Sequence, residues 1–332
     1  MARGGFLKKN YKVGVLRRLA KGLSPLLTPL ERRIMGKYSG GSDPKDDEPQ
    51  PVFIVGAPRS GSTALYQALT ECLDLLYIDN LAALFYRNIY WGMWLSRTVF
   101  RRRNHGCFLS QQGSTVRCGL HAPAECGDFW YRWLPRQPHY IPKGYVADRA
   151  LQEMGRNIFG IIRRFRLPLL FKNLNAGQRL GMISQIAPNA KFIFIRRDPL
   201  YTAQSILDVK RKLGLDERDW WSIMPQNHER LLSLDGPAMA VAQVYYLERR
   251  IMEDRRLFSP EQWMDVQYED FCADVSGVVH NVRNFISPGI QMKEDPGDLA
   301  ITLRQEQTVD DGLFQRLQEA CDTWNWESYD IQ

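Results

Sequence analysis

The densest chemistry in the chain sits in eight residues, Gly56-Ala-Pro-Arg-Ser-Gly-Ser-Thr63. Two glycines bracket a tight loop, an arginine sits inside it, and two hydroxyl residues follow. Such a loop turns backbone N–H groups toward a phosphate, and a helix starting behind it adds the positive end of its dipole. Arginine adds a permanently charged, bidentate donor. Arg59 and the backbone of Ser60, Gly61, Ser62 and Thr63 are therefore candidates for holding one anionic group. A second basic point is Arg196-Arg197, directly after the apolar run Lys191-Phe-Ile-Phe-Ile195, with Ser205 one helical segment further on. The chain reads as a phosphate binder of nucleotide size.

The loop has the Gly-x4-Gly spacing of a Walker A motif, but Ser62 stands where that motif needs its lysine. A nucleoside triphosphatase also needs an acid at a neighbouring strand end to hold Mg²⁺. Here the comparable strand runs into two arginines, so no metal is expected.

These residues need a scaffold that gathers them. Val52–Val55, Leu75–Ile78, Leu169–Lys172 and Lys191–Ile195 are short apolar runs that predict strands, and Trp263–Gln267 reads as a fifth. Helical spacing falls between them, after Ser62, over 81–100, 148–166 and 177–187, from Pro199, over 238–257 and over 275–285. Alternating strand and helix predicts an α/β fold: a single P-loop-like domain with a central parallel sheet and helices on both faces. Ligands then bind beyond the carboxyl ends of the strands. Arg59, Asp79, Lys172 and Arg197 all follow or close predicted strands.

Pro58-Arg-Ser-Gly-Ser-Thr63 resembles the 5′-phosphosulfate loop of sulfotransferases that use 3′-phosphoadenosine 5′-phosphosulfate (PAPS). Arg197-Asp-Pro-Leu-Tyr-Thr-Ala-Gln-Ser205 resembles their 3′-phosphate motif, and Tyr268-Glu-Asp-Phe271 their Tyr-Glu-Asp-Leu element. The likeness runs from about Val52 to Phe271 and favours the bacterial, Golgi and tyrosylprotein types over the cytosolic type. It implies sulfuryl transfer from PAPS to a hydroxyl, with PAPS as co-substrate. Arg59 and Ser60 to Thr63 would hold the 5′ end, and Arg197 with Ser205 the 3′-phosphate. Lys172 resembles the lysine placed near the bridging oxygen. Asp79 stands where the catalytic glutamate of the Golgi type aligns, and it can equally cap the helix that follows. His121 and Glu125 are rival bases. The family's C-terminal Arg-Lys-Gly element has no counterpart; Leu303-Arg-Gln-Glu306 stands in that region. A nucleotide kinase and a non-catalytic nucleotide-binding scaffold are the alternatives on the same fold.

The acceptor side is read from aromatics. Trp91, Trp94, Trp130, Tyr131, Trp133, Trp220 and Trp221 lie in covering segments 81–145 and 216–237 and suit a saccharide or glycolipid, or else pack the core. Residues 1–41 form a basic amphipathic arm, interrupted at Pro25 and Pro29, followed by a linker over 42–50 and the sulfotransferase-like domain over 51–332. That arm more than accounts for the net charge of +7. Its basic residues are not spread over the fold, which argues against nucleic acid. A basic amphipathic arm suits an anionic membrane surface or packing against the domain. No apolar run approaches the roughly 20 residues that span a bilayer. The six cysteines are scattered, and reduced thiols in a cytoplasmic protein, peripheral on the inner face of the membrane, are expected.

Overall fold

In the computed structural model, which describes residues 3–38 and 48–327, the five expected strands become one sheet. Its strands are β1 (Pro51–Val55), β2 (Leu76–Tyr77), β3 (Leu169–Lys172), β4 (Lys191–Arg196) and β5 (Trp263–Gln267), in the order β2-β3-β1-β4-β5. Every pairing is parallel. β1 is buried along its whole length, as a central parallel strand must be. Alternate side chains feed two cores: Phe53 and Val55 one, Val52 and Ile54 the other.

The helices are α1 (Arg3–Tyr38), α2 (Ser62–Cys72), α3 (Asn80–Leu84), α4 (Ile89–Phe100), α5 (Gly127–Trp130), α6 (Asp148–Phe165), α7 (Leu180–Ile186), α8 (Pro199–Leu213), α9 (Gly236–Arg255), α10 (Tyr268–Ala273), α11 (Val275–Ile286) and α12 (Asp311–Asp322). α2 and α11 cover one face of the sheet, and α1, α4, α6 and α7 the other. α8, α9 and α12 close a third core around Ala203, Leu207, Val241 and Leu317.

Three local expectations are corrected. α1 runs unbroken through Pro25 and Pro29. Both prolines are exposed, so the carbonyls that lose a donor lie on the wet side, while Ala20, Ser24, Glu31 and Met35 anchor the inner face. The helix expected over 81–100 is split by a 3₁₀ turn at Tyr86–Asn88, and the one over 177–187 begins as a 3₁₀ turn, Leu174–Gln178. Most of the expected linker, residues 42–47, lies outside the described residues.

The cysteines are also corrected. Cys107 and Cys118 form a disulfide with Cα atoms 5.6 Å apart, because a loop expected to be irregular folds back on itself. Cys72, Cys126, Cys272 and Cys321 are free thiols.

Candidate active site

The parallel register brings the chemistry to one edge. Ile54 pairs with Lys172 and Val55 with Phe194, so the loop after β1 lies between the ends of β3 and β4. The loop is tightly wedged. Gly61 has φ +89°, and a Cβ there would stand 2.1 Å from Cδ2 of Tyr268, the first residue of α10. Arg59 itself adopts φ 71°, a left-handed conformation costing an L-residue roughly 1–2 kcal/mol. Gly61 caps α2 without a side-chain acceptor, which leaves the first-turn N–H groups free for an anion.

The two predicted anion points form a single cluster. Arg59 Nε donates to Ser205 Oγ at 2.9 Å, and Arg197 Nη1 donates to the Arg59 carbonyl at 3.2 Å. Arg197 also donates to the Arg304 carbonyl, and its guanidinium lies 5.1 Å from the Tyr268 ring centroid. Asp198 makes no ion pair with it among the described residues, and that carboxylate accepts from the Leu200 N–H as the cap of α8. Burial, then Arg197 and Arg304, pull the Arg59 guanidinium below its usual pKa. Burial does the same to Arg197. Both remain cations, since the unperturbed value is so high. Ser60 Oγ and Arg197 Nε are buried with no hydrogen-bond partner among the described residues. The Arg197 donor, unpaired beside clustered cations, fits an anion.

Arg59, Gly61, Ser62, Thr63, Lys172, Glu125 and Arg197 line one cleft of about 410 Å³. That lies within the roughly 300–1,000 Å³ of ordinary ligand pockets. A wider hollow of about 1040 Å³ beside α12 is lined by Asp198, Glu269, Glu319 and Asp322, and its acids would repel a phosphate.

At the other end of the cleft, Lys172 is 3% exposed and donates to Glu125 Oε1. Glu125 is the more open partner, its side chain 40% exposed. A Cβ on Gly113 would stand 3.0 Å from Glu125 Oε1 and 3.8 Å from both Lys172 Nζ and Thr63 Oγ1, so these groups converge on one point.

Asp79 and His121 are placed elsewhere. Asp79 is 1% exposed and caps α3, accepting from Ala82 N at 2.8 Å and from Ser96 Oγ at 2.5 Å. His121 Nδ1 lies 3.0 Å from Asp79, and its ring stacks on Phe100. Neither lines the cleft.

Sequence reasoning gave little weight to several lining residues. Arg304 arrives on an irregular segment that α8 holds, through Gln204 to the Glu306 carbonyl at 2.9 Å and the Thr308 N–H at 3.1 Å. Phe108 to Ser110, with Gln112 and Gly113, reach the cleft from inside the disulfide loop. Of the seven aromatics considered for the acceptor, Trp221 alone is among the lining residues. Trp130 is buried against Phe53 and Phe171 instead.

The chain matches the model of the sulfotransferase family over residues 51–291. It belongs to that family. Similar relatives are the omega-hydroxy-beta-dihydromenaquinone-9 sulfotransferases Stf3 of Mycobacterium bovis and Mycobacterium tuberculosis, each 26% identical over 266 residues, 72% of this chain. The match spans 63% of the length of those family members. Among solved structures of the family, the chain is similar to the sulfotransferase STF1 of Mycobacterium tuberculosis H37Rv. The identity is 16% and the TM-score 0.48, with coverage of 91% of this chain and 83% of that one. Among the described residues no helix is long and apolar enough to cross a membrane.

Proposed function

We propose that the chain transfers the sulfuryl group of PAPS to a hydroxyl carried on a lipid or glycolipid. The carrying observation is the cleft itself, with half-buried Arg59 and buried Arg197, whose Nε is unpaired, among its lining, together with a buried lysine that donates to a half-exposed glutamate. Arg59, which Ser205 orients through the hydrogen bond to its Nε, and Arg197 hold the phosphate of the adenosine end. The uncapped first turn of α2 and Thr63 receive the phosphosulfate. Glu125 accepts the acceptor's proton as its oxygen attacks sulfur. The bond from sulfur to the bridging oxygen breaks, and adenosine 3′,5′-bisphosphate leaves with the electron pair. Lys172 sits where a cation can offset the charge gathering on that oxygen.

Leu109, Leu174, Ile223 and Ile301 join Phe108 and Trp221 on the lining, so aliphatic side chains stand beside the aromatic ones. That supports an acceptor hydroxyl on an apolar chain over a bare saccharide. The Stf3 relatives, named for a hydroxylated menaquinone, are compatible with this reading.

Glu125→Gln should lower turnover by roughly 10²–10⁴ while leaving the affinity for adenosine 3′,5′-bisphosphate unchanged in calorimetry. Undiminished turnover would remove Glu125 as the base. Thermal shift separates the kinase reading: the bisphosphate without metal should stabilise more than ATP with Mg²⁺, and the reverse order would favour phosphoryl transfer.

A further inference from the structure

α1 leaves one of its faces uncovered. Its inner side is anchored: Ala20, Ser24, Glu31 and Met35 are buried, Asn88 Nδ2 donates to Thr28 Oγ1 at 3.0 Å, and Arg17 pairs with Asp128 at 3.2 Å. Leu16, Leu19, Leu23, Leu26 and Leu30 are nonetheless exposed, by 37%, 57%, 46%, 69% and 52%. Their alternating spacing of three and four places them in one row, about 21 Å long at the helical rise. Arg33 and Lys37 continue the same spacing at the end of the row, and both are exposed.

A second copy of the helix and an anionic surface both suit an apolar row, and charge separates them. The helix carries ten lysines and arginines, and its single acid, Glu31, is buried on the inner side. Arg18, Arg33 and Lys37 make no ion pair among the described residues. Pairing two such rows would bring like charges together with no acid to offset them. An anionic lipid surface accepts the leucines among its acyl chains and the cations at its headgroups.

We propose that the outward leucine row of α1 docks this protein on an anionic lipid surface, with Arg18, Arg33 and Lys37 on the headgroups. The proposal does not rest on the sulfuryl-transfer reading. Its probe is co-sedimentation of the full chain with vesicles of mixed phosphatidylglycerol and phosphatidylcholine, and with phosphatidylcholine alone. Binding should require the anionic lipid and weaken with salt. Leu19→Gln/Leu26→Gln/Leu30→Gln should weaken it at least tenfold, and Arg18→Gln/Arg33→Gln/Lys37→Gln by roughly a hundredfold. These positions are exposed, and an unchanged melting temperature checks that each variant folds. Wild type that stays in the supernatant, or a leucine variant that sediments equally well, overturns the proposal. So does a wild-type dimer that the leucine variant turns into a monomer, because the row would then be occupied by a second copy.

Discussion

Adding one methyl group at Gly61 probes how the phosphate loop is held. At φ +89° an alanine is strained by roughly 1–2 kcal/mol. Its Cβ would also stand 2.1 Å from Tyr268 Cδ2 and 2.6 Å from Cε2. Tyr268 is 5% exposed, so the ring has little room to retreat, and overpacking of this kind costs roughly 1–3 kcal/mol more. The sum, about 2–5 kcal/mol, should lower the melting temperature by roughly 3–7 °C in a chain of this size. The loss of binding should follow from the same contact, because the ring supports Arg197 from 5.1 Å. Calorimetry of adenosine 3′,5′-bisphosphate should show Gly61→Ala weakened at least tenfold. Tyr268→Ala removes the obstacle but not the strained φ, so a double-mutant cycle should show coupling of about 1–3 kcal/mol. Gly61→Ala with wild-type melting and affinity would refute the wedge.

The clamp, the arm and the disulfide loop give three further tests. Arg197→Ala should weaken bisphosphate binding roughly ten- to a hundredfold, the cost of charged hydrogen bonds lost. Arg196→Ala, whose side chain lies over Phe194 outside the cleft, should change affinity less than about threefold in the same titration. Burial raises the Glu31 carboxyl to about 7 from 4.5. The folded state therefore holds this proton where the unfolded chain has released it, and stability falls as pH rises from the unfolded value through the folded one. The full loss is about 3 kcal/mol. Glu31→Gln should accordingly raise the melting temperature at pH 8 and leave it nearly unchanged at pH 4, and equal shifts at both would show that charge is not the cause. Cys107→Ser/Cys118→Ser frees a short loop at about 3 kcal/mol of local order. Faster hydrogen exchange over residues 108–117 and a raised acceptor KM, at unchanged bisphosphate affinity, are expected.

Four strands were legible because they are short apolar runs bounded by turn residues, while β5, Trp263-Met-Asp-Val-Gln267, carries two polar residues at an edge of the sheet. The cation cluster was legible because it sits at strand ends, where topology alone fixes position. Asp79 was ambiguous for a physical reason: an acid after a strand and before a helix meets the needs of both a base and a cap. The structure gives this one three partners within the fold. Arg304 and the disulfide were not legible. Each depends on an irregular segment whose course is set by distant hydrogen bonds, such as those from Gln204, and not by any local period. The prolines of α1 misled because their local cost was weighed without the buried anchors on either side.

The cluster of Arg59, Arg197 and Arg304 has a practical corollary. Arg59 and Arg197 are partly desolvated, Arg304 is exposed beside them, and three such cations are a trap for any small tetrahedral oxyanion, whatever its source. Inorganic sulfate or phosphate in a buffer would relieve the repulsion among them and raise the melting temperature on its own. Each would also compete with the nucleotide, so affinities measured in phosphate buffer would understate those measured in an amine buffer with chloride.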